Sequence, residues 1–345
     1  MTLVDIRSPA DREWSIPGSL QFDAYDAVKS GSLGPLANLD FPPGPVVTVC
    51  GMGATAAKAT GLLRARGVQA MTLEGGMRAW SLAWNTAQTK ISGCEVVQVR
   101  RTGKGCLSYV VESKSEAVVI DASLDPDVYV RLLHERGWRL VAVADTHIHA
   151  DHLSRSRLLA QQEGVDVWLP AQGRAQYSFR PVADADRIAF GSTALVALHT
   201  PGHTEESTTY LLDSTAAFTG DTLFLNSVGR PDLEGGTRQQ LASRARLLHT
   251  SVGRLLQLPE AAQVLPGHAS EPIPFDGRVL ATTVGTIRDT VALARLDSAA
   301  FVEAVLSRIP PNPPNHSRIV ELNERGEVPG DPSELEAGAN RCAVA

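Results

Sequence analysis

The stretch Thr146–His152 reads THIHADH, and it constrains the chain more than any other. Three histidines and an aspartate fall within seven residues, straight after the apolar run Arg139–Asp145 (RLVAVAD). A short, β-rich apolar run of that kind predicts a buried strand. The run behind the cluster, HLSRSRLLAQQEG, has helical spacing. The cluster therefore sits at the carboxyl end of a strand, where open α/β sheets build their sites. His147 and His149 are two apart, so an extended backbone points both rings the same way. Asp151 and His152 follow where the chain turns into the helix. Neutral imidazole and carboxylate are usual ligands for zinc and iron.

Three more strand ends carry the same residue types. ALVALHTPGH ends on His203, AAFTGD on Asp221 and AQVLPGH on His268, each beside Gly or Pro turn chemistry. Five histidines and two aspartates thus come from four strand ends. His134, His199, His249 and His316 hold no such position, and they read as structural or surface residues.

The chain has 345 residues, which predicts two domains or more. Residues 1–90 alternate short apolar strands (TLVDI, PVVTV, QAMTL) with turn signals and one helical stripe, giving a small parallel α/β layer. The polar stretch Trp84–Gly93 (WNTAQTKISG) reads as a hinge. Residues 94–325 continue with strands and helices. Residues 326–345 are small and acidic, and they predict a mobile tail. The formal charge of −6 provides no basic field to attract nucleic acid or an anionic membrane. No apolar run approaches the roughly 18 residues of a membrane span. MTLVDIRSPADREW is not patterned as a secretory signal. Cys50, Cys94, Cys106 and Cys342 are too irregularly spaced for a disulfide framework or a zinc ribbon. Reduced thiols and a cytoplasmic setting are the expectation. A homo-oligomer is compatible with the sequence.

In their order, THIHADH, TPGHT, TGDTLF and LPGH closely resemble the metallo-β-lactamase fold superfamily over about residues 94–325. The resemblance implies an αββα sandwich with metal between the sheet edges. Within it the chain looks nearest to the glyoxalase II and persulfide dioxygenase branch, because GRPDLEGG after Asp221 is similar to the GR-x-D segment of persulfide dioxygenases. A hydrolase of this type would hold two zinc ions. His147, His149 and His203 would bind one, Asp151, His152 and His268 the other, with Asp221 bridging. A persulfide dioxygenase would hold one Fe(II) on His147, His203 and Asp221, leaving His149, Asp151, His152 and His268 as spare ligands around it. Arg230 and Asp232 are candidates for catalytic support, with a plain ion pair as the alternative. Ala269-Ser270-Glu271 replaces the acidic residue and tyrosine that related enzymes commonly place after this histidine, so the substrate pocket is expected to differ.

VVTVCGMGATAAKATGLLRARGVQAMTLEGGMRAW resembles the active-site half of a rhodanese domain, and LVDIRSPADREWSIPGS is similar to its opening. Cys50 would be the sulfur-carrying nucleophile. Gly51, Met52, Gly53, Ala54 and Thr55 would form the anion-binding loop, whose amides and helix dipole favour a thiolate. Thr55 stands where the family often has arginine, and the helix that usually precedes the first strand is missing. Cys94, Cys106 and Cys342 read as ordinary residues. A rhodanese handles sulfane sulfur and a persulfide dioxygenase oxidises it. The pairing favours a dioxygenase acting on a glutathione-type persulfide with O₂ to give sulfite, with thiosulfate or sulfite as partners of Cys50. The alternatives are a dinuclear thioester hydrolase and a non-catalytic sulfur carrier or sensor.

Overall fold

The structure, a computed structural model, describes residues 1–12, 14–313, 315–338 and 340–344. The N-terminal unit is a four-stranded sheet in which Leu20–Gln21, Thr2–Asp5, Val46–Val49 and Ala70–Thr72 lie side by side, all parallel. The helix Ala54–Arg64 buries Ala56, Ala59 and Leu63, three and four residues apart, against Val4, Ile6 and Val46.

The larger unit is two sheets packed face to face. One has seven strands, running in space from Arg180–Val182 to Asn85–Ile91, and the other six, from Arg187–Phe190 to Thr282–Thr283. The Val-rich strands Cys94–Arg100, Leu107–Ser113 and Glu116–Ile120 are covered on both sides. Val96, Tyr109, Val111, Val118 and Ile120 point to the inter-sheet core with Phe218 and Leu265. Their neighbours Val97, Val99, Val110, Ala117 and Val119 point outward to Tyr129, Leu133 and Leu159. That alternation is the strand period of two, with helices Pro126–Arg136 and Ser156–Glu163 closing the outer face. Helices Arg238–Leu255 and Ser298–Ser307 cover the other sheet through Leu248, Val252, Phe301 and Val305. The expected α/β architecture, a parallel N-terminal layer followed by an αββα sandwich, is the one observed.

Two expectations are corrected. The polar stretch read as a hinge contains the strand Asn85–Ile91, paired antiparallel with Cys94–Arg100 along its whole length. An edge strand needs only one apolar face, so its polarity hid it. Residues 326–338 and 340–344 do not form the mobile tail predicted from their composition. Glu336 is fully buried between Arg101 and Arg155, and Cys342 and Val344 are buried too. The guanidinium of Arg101 also donates to the Ser81 carbonyl at 3.1 Å, so it ties the N-terminal unit, the sandwich and the C-terminal segment together.

Candidate functional site

Four strand ends meet at one edge of the sandwich. The strands Ala216–Gly220 and Gln263–Pro266 are parallel neighbours, so Asp221 and His268 emerge side by side. The strand Arg139–Ala144 delivers the THIHADH loop, and Thr193–His199 leads to His203. Gly220 has φ +49°, and a Cβ there would lie 2.5 Å from Thr146 Oγ1, so the loop and the Asp221 turn can approach only across a glycine.

His147, His203 and Asp221 place one ligand atom each within 4.8 Å of one another, and all three are buried. Asp221 Oδ2 lies 3.8 Å from His147 Nε2 and 3.6 Å from His203 Nε2. Among the described residues these three atoms have no hydrogen-bond partner. Such separations are long for hydrogen bonds, but ligands of one cation at about 2.0–2.2 Å sit roughly 3–4 Å apart. Buried polar atoms left unpaired are costly, so the donor set fits a metal ion. The other ring nitrogens are tied back. His147 Nδ1 bonds Thr146 Oγ1 at 2.9 Å, and that hydroxyl donates to Asp121 Oδ2 at 2.9 Å. His203 Nδ1 donates to the Arg230 carbonyl at 2.9 Å. Each bond sets the tautomer that turns Nε2 towards the centre. Burial holds both imidazoles below their ordinary range, hence neutral and able to ligate.

Cys106, Asp151, His152 and His268 form a second group within the same limit. His268 Nε2 lies 2.9 Å from Asp151 Oδ2, and His152 Nδ1 lies 3.0 Å from Asp151 Oδ1. Burial and Asp151 push the Cys106 thiol up, but His152 and His268 outweigh them and bring it down to about 7. Burial opposes charging His152, yet Asp151 and Cys106 raise it to about 10. Cys106, read from the sequence as an ordinary residue, thus lies among ligand-type side chains. An isolated bridge between Cys106 and His268 brings the cysteine in, with Leu107 N–H on the Gly267 carbonyl and Ala269 N–H on the Gly105 carbonyl. Nothing in the local sequence announces such a pairing across 162 positions (268 − 106).

His149 departs from the hydrolase expectation. It groups with Asp121 and Asp145, not with His147 and His203, and its Nε2 lies 3.3 Å from Asp121 Oδ1. Its ring nevertheless stays beside the group, with its centroid 4.3 Å from that of His147 and 4.2 Å from that of His152. Arg230 is corrected as well. Its guanidinium donates to both Asp232 oxygens, to Asn312 Oδ1 and to the carbonyls of Pro311 and Arg341, which engages all five N–H donors. Neither it nor Asp232 is free to act on a substrate through that ion pair. Three supporting residues went unseen in the sequence. Asn323 donates to the carbonyls of His149 and His152 at 2.8 and 2.9 Å, Glu206 accepts from Ile148 N–H at 3.0 Å, and Asp121 holds Thr146. Only Asp121, at the end of AVVID, carried the strand-end signal. His134, His199, His249 and His316 join none of these groups.

In the N-terminal unit the thiol of Cys50 accepts N–H bonds from Gly53 at 3.2 Å and Ala56 at 3.3 Å, at the start of the helix Ala54–Arg64. The loop Cys50–Thr55 is held from behind: Met77 and Arg78 N–H groups bond the carbonyls of Cys50 and Gly51. A Cβ on Gly76 would fall 2.2 Å from the Cys50 carbonyl, so glycine is required there. A cleft of about 680 Å³ opens over Cys50, lined by Arg7, Trp14 and Arg78, and also by Glu334 and Gly338 of the C-terminal segment. Further along, Asn340 and Arg341 wall a cavity of about 340 Å³ that reaches His268. The two candidate sites thus share one covering segment.

Residues 1–83 match the family model of the rhodanese-like domain, and residues 101–268 that of the metallo-beta-lactamase superfamily. The chain is 34% identical over 156 residues to the mitochondrial persulfide dioxygenase ETHE1 of Bos taurus, covering 44% of this chain and 59% of that protein. The chain therefore spans less than two thirds of this relative's length. The crystal structure of ETHE1 from Myxococcus xanthus superposes with TM-score 0.57 at 28% identity, covering 66% of this chain and 96% of that one. A metallo-beta-lactamase from Staphylococcus aureus gives TM-score 0.61 at 26% identity, covering 71% and 75%. Among the described residues no helix is long and apolar enough to cross a membrane.

Proposed function

We propose that this chain, a rhodanese-like domain followed by a metallo-β-lactamase-superfamily domain, is a mononuclear non-heme iron persulfide dioxygenase with an attached sulfurtransferase. The observation that carries the reading is the convergence of two buried imidazole Nε2 atoms and one carboxylate oxygen that have no hydrogen-bond partner among the described residues. Two histidines and one carboxylate leave room for O₂ and a persulfide, as in facial-triad Fe(II) oxygenases. Iron, when bound, would supply the activation of O₂. The chain's own residues orient the site: Thr146 and the Arg230 carbonyl hold the ligand rings, and His268 Nδ1 holds Asp221 Oδ1 at 2.5 Å. The overall reaction balances as RSSH + O₂ + H₂O giving RSH and sulfurous acid, which ionises to sulfite. At the other site, the Cys50 thiolate attacks the outer sulfur of thiosulfate. An S–S bond forms at Cys50, sulfite leaves with the electron pair of the broken bond, and a thiol acceptor then takes the sulfur. The Gly53 and Ala56 amides stabilise the anionic sulfur throughout. The likeness to a persulfide dioxygenase supports the same reading.

One observation favours a second reading. Cys106, Asp151, His152 and His268 form a complete four-donor group, which would suit a second ion in a dinuclear zinc hydrolase. Metal analysis of anaerobically purified protein, with O₂ uptake on glutathione persulfide, separates the two. About one iron per chain with O₂ consumption is expected. Two tightly bound zinc ions with rapid thioester hydrolysis would overturn the dioxygenase.

A further inference from the structure

We propose that Cys342 is a sulfur ligand of this metal centre, carried to it by the C-terminal segment. The proposal rests on the metal-binding reading of Asp221 and its neighbours. Cys342 is 1% exposed, and its thiol sits within 4.8 Å of ligand atoms of both Asp221 and His268. Asp221 Oδ2 is itself buried and has no hydrogen-bond partner among the described residues, so the space the thiol faces calls for a cation.

The backbone around Cys342 is built to present that side chain. Residues 340–344 add a short edge to the GRPD segment. Ala343 bridges Gly229, Arg230 N–H donates to the Cys342 carbonyl at 3.1 Å, and Val344 N–H donates to the Val228 carbonyl at 3.0 Å. Asn340 closes the other side, accepting from Cys342 N–H at 2.8 Å and donating to Asp151 Oδ2 at 3.2 Å. Glu336 anchors the segment further back through Arg101 and Arg155. With the main chain held on both flanks, the thiol has two neighbours: the apolar group Ala150, Phe224 and Leu233, and the carboxylate–imidazole edge of the centre. A core thiol needs only the first. Thiolate is a soft donor, which suits iron or zinc over magnesium or calcium.

Cobalt(II) substitution of the full chain tests this without reading any activity. A thiolate bound to cobalt gives a near-ultraviolet sulfur-to-metal charge-transfer band. The wild type should show the band, and Cys106→Ser should keep it. Cys342→Ser should lose it while retaining bound cobalt and the wild-type circular dichroism. Absence of the band from the wild type, or its survival in Cys342→Ser, overturns the assignment, as does its loss in Cys106→Ser alone. Should Cys342→Ser not fold, X-ray absorption of the cobalt-loaded Cys106→Ser protein decides. A cobalt–sulfur shell supports Cys342, and its absence overturns it. A chain that oxidises no persulfide can still pass this test, so the two proposals fail separately.

Discussion

His203 Nδ1 donates to the backbone carbonyl of Arg230 at 2.9 Å, while the guanidinium of that same arginine points away, into the C-terminal segment. One residue therefore orients the proposed ligand His203 with its main chain and fastens the cover with its side chain. The GRPD segment looks like a catalytic arginine motif in the sequence, but its contribution to the centre is a carbonyl.

Arg230→Ala should separate these roles. It strands the Asp232 carboxylate, Asn312 and two carbonyls, so stability should fall by about 3 kcal/mol. The carbonyl that holds His203 remains, so the folded fraction should keep its metal. Urea unfolding and metal content on the same preparation check both. Metal loss at wild-type stability would place the guanidinium in the centre after all.

His268→Ala addresses the metal count. In a mononuclear centre His268 only orients Asp221, through the Nδ1–Oδ1 contact of 2.5 Å. Activity should drop about 10- to 100-fold with most iron retained. Complete metal loss from this change would argue for two ions. His203→Ala, by contrast, should remove both iron and O₂ uptake.

Cys50 and the proposed metal ligands belong to different units, so their chemistries should part by mutation. Cys50→Ser should abolish sulfur transfer from thiosulfate to a thiol while leaving O₂ uptake on a supplied low-molecular-weight persulfide largely intact. Asp221→Ala should do the reverse. Loss of both activities in a folded, iron-loaded Cys50→Ser would point to obligatory relay through Cys50.

Glu336 makes acid stability a readout of the C-terminal cover. Burial pushes its carboxyl up, but Arg101 and Arg155 outweigh that and bring it down to about 2 from an ordinary 4.5. A depressed carboxylate contributes stability that is complete above the unfolded value and lost as pH falls through the folded one. The wild type should therefore lose about 3 kcal/mol between about pH 4.5 and about pH 2 from this group. Glu336→Gln should be less stable at neutral pH and show a flatter acid slope. Equal slopes in urea titrations of the two proteins would refute the linkage.

The sequence by itself determined the two-unit α/β plan and the ligand-bearing strand ends, because strand period, turn glycines and residue type are local properties. Cys50 at a strand end before a glycine loop was legible for the same reason. The grouping of the ligands was decided only by the tertiary structure. His149 has the same spacing signal as His147, yet its ligand atoms lie nearest those of Asp121 and Asp145 once the strands come together. Cys106, Asn323, Glu336 and Cys342 carry no period or motif. Each reaches the centre or its supports through a contact spanning more than a hundred positions, as between Cys106 and His268, Asn323 and His149, or Glu336 and Arg101. Composition made the last twenty residues look like a solvated tail, since acidic and small residues rarely bury enough apolar surface alone. Two arginines from distant strands and loops supply the charge that lets Glu336 be buried, and that compensation exists only in the folded chain.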